Sequence, residues 1–206
     1  MAVTQMVFDC KNQKVRAIIP TATINSAAVT NRIVTTTNMK VGAYTVAAQP
    51  YGPSKITVTT TASGTADTQG IITVTGTDIF DRTITDVITP VAGSTVSGTK
   101  YFKTVTAVAG SGWVIDAGSG NDTIVVGVPA DIGINAPGLA VSFQILTGTT
   151  TYFNPITTAT AAATQSIPLI AGDSWQNVTV DETLSFINSG GGTLWAIIWE
   201  PIPRPC

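Results

Sequence analysis

An all-β fold is predicted, an antiparallel β-sandwich architecture with two β-domains and extended N- and C-terminal arms, and three observations predict it. Thr, Val, Ala, Ile and Gly dominate the 206 residues, and the β-branched members fit a pleated, half-buried surface better than a helix. Apolar and polar residues alternate cleanly from Ser54 onward, as in Lys55-Ile-Thr-Val-Thr-Thr60, so that Ile56 and Val58 point one way while Thr57 and Thr59 point the other. No window sustains apolar spacing at helical period; Ala159–Ala163 offers a single helical turn at most.

Residues 1–53 read as a basic N-terminal arm or first sheet. Short extended pieces, Val3–Phe8, Lys14–Ile19 and Arg32–Thr37, are broken by Pro20, Asn38 and Gly42 and closed by Pro50-Tyr-Gly-Pro53. Residues 54–129 form a sandwich module. Its strands are Lys55–Thr60, Ile71–Thr77, Arg82–Thr89, Lys100–Val108, Gly112–Ile115 and Thr123–Val128, with Thr77-Asp-Ile-Phe-Asp81 as a hairpin turn in which Asp78 and Asp81 accept backbone hydrogen bonds. Two prolines and two glycines make residues 130–138, with Pro129 before them, a linker.

Residues 139–200 form a second, more apolar β-domain with strands at Leu139–Leu146, Ser166–Ile170, Trp175–Val180, Thr183–Ile187 and Thr193–Trp199. On the last of these, Trp195 and Trp199 share one face and Ile198 lies on the other, so one face fills the core and the second needs another cover. Residues 201–206 are a proline-rich tail expected not to pair within a sheet.

Charged residues make up only 11% of the chain, well below the roughly 25% of an ordinary soluble domain, and a neutral surface is prone to association. The net charge of −2 hides an asymmetry. Lys11, Lys14, Arg16, Arg32, Lys40 and Lys55 face only Asp9 within residues 1–55, whereas the remainder carries four basic residues against eleven acidic ones. That arrangement suits contacts between copies or an arm on an acidic partner; scattered solvated charges are the plainer alternative. No basic segment followed by an apolar stretch opens the sequence, and the longest apolar run, Leu194–Trp199, is too short to cross a bilayer, so neither export nor membrane insertion is expected. Cys10 and Cys206 read as free thiols made in a reducing compartment.

The segment from Gly70 to Val128, with its hairpin GIITVTGTDIFDRTITDVITP, its later GTKYFKTVTAV and its closing NDTIVVGV, resembles a β-sandwich repeat common among structural proteins of tailed-bacteriophage virions. The resemblance covers about a third of the chain and implies a virion structural protein, made in the host cytoplasm. Decoration or cement proteins of the capsid carry such modules, as do tail-tube, collar and head–tail adaptor proteins. It implies the major capsid protein or other virion subunits as partners, a homo-oligomer, and no catalytic residues. Phe80 departs from the small or polar residue usual in that turn, which points to a partner covering it.

Histidine is absent, which removes Ser-His-Asp and Cys-His arrangements and the usual zinc sites. The pairs Asp78/Asp81, Asp116/Asp122 and Asp181/Glu182 offer carboxylates to a glycosidase, but acidic residues capping turns are commoner. Asp116-Ala-Gly-Ser-Gly-Asn-Asp-Thr-Ile124 echoes one unit of a calcium-binding repeat that works only in tandem, so a glycine-rich turn is the simpler reading. Tyr101, Phe102, Trp113, Trp175, Trp195 and Trp199 raise a glycan-binding surface module as a rival function, against which stands ordinary core packing. Nucleic acid gains little from an acidic chain. No cofactor or metal is expected. The residues expected to carry protein contacts are Lys11, Lys14, Arg16, Phe80, Trp195, Trp199, Pro201 and Pro203.

Overall fold

The computed structural model describes residues 13–61, 68–114, 122–154 and 166–201. The chain is all-β: four four-stranded sheets, paired into two layered units with separate cores. The first unit combines one sheet ordered β2 (Val29–Asn38), β9 (Thr123–Val128), β4 (Thr57–Thr61) and β7 (Thr95–Ser97) with another ordered β3 (Ala43–Tyr44), β8 (Thr104–Ser111), β5 (Ile71–Thr77) and β6 (Thr83–Ile88). Ile33, Val58 and Val126 from the first sheet meet Ile72, Val74 and Val108 from the second, all essentially dry.

The second unit pairs a sheet ordered β1 (Gln13–Ile24), β16 (Gly192–Pro201), β11 (Ala140–Gly148) and β14 (Ser174–Thr179) with one ordered β10 (Ile132–Asn135), β15 (Thr183–Asn188), β12 (Thr151–Asn154) and β13 (Ile167–Leu169). Phe143 is its hub, edge-on to Phe186 at 4.8 Å and to Phe153 at 5.2 Å between ring centroids. Such pairs add to simple area burial.

The N-terminal quarter is therefore neither a free arm nor a sheet of its own over the described residues. β1 pairs with β16 from the far end of the sequence, whereas β2 and β3 complete the first unit. Pro20 does not break β1: it is exposed on an edge strand, inside the register shift between Ile19 and Ala22, where its missing N–H costs no ladder bond. The expected linker is also a strand. Pro129 and Pro137 flank β10 rather than interrupt it, and Ile132 and Ile134 are buried in the second core. Pro201 likewise corrects the expected tail, because it ends β16 opposite Gln13. The expected strand Val3–Phe8, the turn at 159–163 and Pro203 lie outside the described residues.

Edge β6 shows how the fold blunts an exposed ladder. Asp86 points inward, and its carboxylate accepts hydrogen bonds from the Thr99 and Lys100 amides at 2.7 and 3.0 Å, holding the 98–100 loop against the strand. Lys100 Nζ then donates to the Thr85 carbonyl.

Candidate protein-docking groove

The two units are joined by the β5–β6 hairpin. Ile79, at its tip, is 4% exposed and belongs to the second core although its strands belong to the first unit. The tip is held by Asp78, whose carboxylate accepts from the Phe80 and Arg82 amides at 2.8 and 3.0 Å and from Arg82 Nε at 2.8 Å. Asp81 takes a left-handed backbone (φ 60°), a conformation Asp tolerates, and pairs with Lys103 at 2.7 Å. Phe80 is half-buried against the second core and under the Arg82 guanidinium, 4.9 Å from its ring centroid. The part of it that is covered is covered by the same chain and not, as the sequence suggested, by a partner. The residue that anchors the tip is its neighbour Ile79, which with Phe80 makes the centre of the turn apolar between Asp78 and Asp81.

Beside the tip lies an open groove of about 620 Å³, lined among others by Lys14, Arg16, Phe80, Arg82, Leu139 and Glu200. Lys14 and Arg16 reach it from β1, Glu200 from β16 and Leu139 from the start of β11. Arg16 Nη1 approaches Glu200 Oε2 at 3.4 Å, and with both side chains nearly half exposed that pair contributes little to stability. The groove brings three cations and one acid, Glu200, together with the apolar Phe80, Pro137 and Leu139, without a convergent set of carboxylates. Asp78 and Asp81 are committed to Arg82 and Lys103.

Of the residues expected to carry contacts, Lys14, Arg16 and Phe80 are brought together here, and Pro201 follows Glu200 at the same strand end. Lys11 and Pro203 lie outside the described residues. Trp195 and Trp199 are elsewhere, on the outer face of the β1–β16–β11–β14 sheet, while the face carrying Ile198 is the core. Trp199 is only 2% exposed, grouped with Ala140, Ile197 and Trp195, and its indole N–H donates to Ser142 Oγ at 3.1 Å; it is buried within the chain rather than offered as a surface. The other aromatics are likewise engaged. Phe102 is core, Trp113 packs on Gly42 and Gly110, and Trp175 stands edge-on to Phe153. Among the described residues no cluster of three His, Cys, Asp or Glu could hold a metal ion. Most of the calcium-like turn falls outside them, and Asp122 at its end is fully buried.

Comparison with family models, with curated proteins and with solved structures returns no match to this chain. The groove is therefore interpreted from its own chemistry.

Sequence reasoning missed a second polar cluster at the junction. Lys55 and Tyr101 from the first unit face Asp131 and Ser185 from the second, with Lys55 Nζ 5.3 Å from the Tyr101 ring centroid and Ser185 Oγ 3.4 Å from Asp131 Oδ2. These residues are scattered in sequence and only the fold assembles them. Burial pushes the Asp131 carboxyl above the ordinary Asp range, opposed by its own backbone N–H, the Ser185 hydroxyl and the Lys55 charge. Tyr101 is also raised, by burial first and then by the Asp131 charge, against a hydrogen bond with Thr183.

A raised carboxyl means that the folded chain holds this proton more tightly than the unfolded one. Stability from this site is therefore greatest below the ordinary Asp value, about 3.9, and is lost as pH rises through the raised one. Asp131→Asn should flatten that decline in urea unfolding measured across mildly acidic pH. A variant with the wild-type decline would assign it to another group.

Proposed function

We propose that this chain is a non-enzymatic structural protein of a tailed-phage virion, a capsid decoration or cement protein that stabilises the shell by binding neighbouring subunits. The observation that carries this reading is the convergence of Lys14, Arg16, Arg82 and Phe80 on one groove, beside the strand end where β1 and β16 close. A surplus of cations among apolar residues suits an acidic protein surface. Such a contact works by burial and charge complementarity, and repetition over a lattice multiplies modest contacts through avidity. The low charge content supports the same reading, since few charges need desolvating when β-surfaces meet.

The test is particle binding. Lys14→Glu/Arg16→Glu, both exposed, should leave the fold intact and lower occupancy on assembled shells by at least about tenfold in affinity, with a shallower dependence on salt. Wild-type occupancy and salt response in that variant would mean that these cations are merely solvated.

A further inference from the structure

Near one end of the β1–β16–β11–β14 sheet, one step inside the Gln13–Pro201 pair, stands an ordered row of charge. Lys14 pairs with Glu200 across β1 and β16, and Ala140 is opposite both Trp199 and Thr179. Leu139 and Val180 continue that register, and the Val180 amide donates to the Leu139 carbonyl at 3.0 Å while the Gly138 amide donates to the Val180 carbonyl at 2.9 Å. The row across the sheet end is therefore Lys14, Glu200, Leu139, Val180, about three strand spacings or some 14 Å wide.

Cations stand at one end, where Arg16 flanks Lys14 and engages Glu200. At the other end the chain leaves Val180 into Asp181 and Glu182, both exposed, and among the described residues neither acid makes an ion pair. Lys14 makes none either. Between the two ends lie Glu200, already engaged by Arg16, and then Leu139 with Pro137 beside it, apolar and partly to fully exposed.

With Arg16 offsetting Glu200, the row keeps Lys14 as its cation at one end, leads into two acids beyond the other and has Leu139 between them, and in that sense it is complementary to itself. A two-fold axis along the sheet normal, passing near Leu139, reverses the row and sets Lys14 and Arg16 of one copy against Asp181 and Glu182 of the other, twice over. A two-fold along the row itself would oppose like charges. Self-complementarity of this kind is what an isologous interface requires. We propose that this sheet end is the dimer interface of the protein, and that the acidic surface met by the groove is the Asp181–Glu182 turn of a second copy. This deepens the docking reading above by naming the neighbour, and it is tested on the purified chain, away from any particle.

The experiment is a charge swap followed by sedimentation equilibrium of the full chain. Wild type should dimerise, more weakly as salt is raised. Lys14→Glu/Arg16→Glu and Asp181→Lys/Glu182→Lys should each raise the dimer Kd at least about tenfold. Mixing the two variants should restore association as a heterodimer, because both contacts are then again between opposite charges. Thermal melts check folding, and Asp181→Asn/Glu182→Gln, with a smaller loosening expected, substitutes if a reversal fails to fold. A monomeric wild type, reversals that dimerise normally, or a mixture that stays monomeric would each overturn the proposal. Loss of shell binding without any dimer would retain the docking reading and discard this one; a swap-sensitive dimer with unaltered shell occupancy would do the reverse.

Discussion

Ile79→Asp is expected to be among the most damaging single substitutions in the chain, and to act on the unit to which its own strands do not belong. Ile79 is 4% exposed within the second core, while β5 and β6 on either side of it pair inside the first unit. Truncating a buried isoleucine to alanine costs about 2–5 kcal/mol, and a carboxylate in the same place adds the cost of an unpaired buried charge. Trp175, Trp195 and Trp199 all lie in the second unit, whereas Trp113 lies by the first. Tryptophan fluorescence during urea unfolding therefore reports mainly on the second unit. Its midpoint should fall sharply in Ile79→Asp and by a lesser amount in Ile79→Ala. A change below about 0.5 kcal/mol, the scale of an ordinary surface substitution, would mean that the hairpin tip rests on the second core without anchoring to it.

Much of the strand content was legible because strand patterning is local. Ile71–Thr77 alternates over seven residues and forms β5 over those same residues, and the Asp78 carboxylate closes the hairpin turn on the Phe80 and Arg82 amides as expected, whereas the Asp81 carboxylate takes the Lys103 ammonium in place of a backbone amide. The all-β class follows from the same alternation repeated along the chain. Short strands with weak patterning escaped: β7 spans only Thr95–Ser97, and β12 only Thr151–Asn154. The N-terminal arm and the linker were misplaced for a different reason. Which strand adopts which neighbour is a long-range choice, and nothing near Lys14 announces that Glu200 will lie opposite it. Pro20 reads as a break, yet on edge strand β1 its missing N–H removes no ladder bond, and Pro129 and Pro137 leave room for β10 between them.

The groove was legible in its parts and not in its assembly. Lys14 and Arg16 stand out by charge, and Phe80 by being aromatic in a turn. Their convergence depends on β1 joining the second unit while the hairpin reaches it from the first. Arg82, Leu139 and Glu200 complete the groove without any local signal, as does the Lys55, Tyr101 and Asp131 cluster. Trp199 escaped for the opposite reason: alternation correctly gave it a shared face with the partly buried Trp195, but an outer face of a central strand can still be buried by its own neighbours, as Trp199 is with Ala140, Ile197 and Ser142.

Gly133→Ala is expected to loosen the junction from the other side. Gly133 sits in edge strand β10 between buried Ile132 and Ile134, and its amide donates to the Pro53 carbonyl at 2.8 Å, tying the strand to the first unit. A Cβ there would lie within 2.8 Å of Tyr101 ring carbons, closer than packing permits. The ring has little freedom to retreat, with Lys55 on it and Asp131 and Thr183 beside it. Either the ring or β10 must move, and β10 cannot shift without disturbing two core isoleucines. Overpacking of this sort costs about 1–3 kcal/mol. The cause is separable from any intrinsic effect of alanine on the strand by a double-mutant cycle in urea unfolding. Removing the ring with Tyr101→Ala is itself destabilising, but it should also abolish the obstacle, so that Gly133→Ala costs little in that background and the coupling exceeds about 0.5 kcal/mol. Additive costs would show that the ring yields freely and that the glycine is required for its backbone alone.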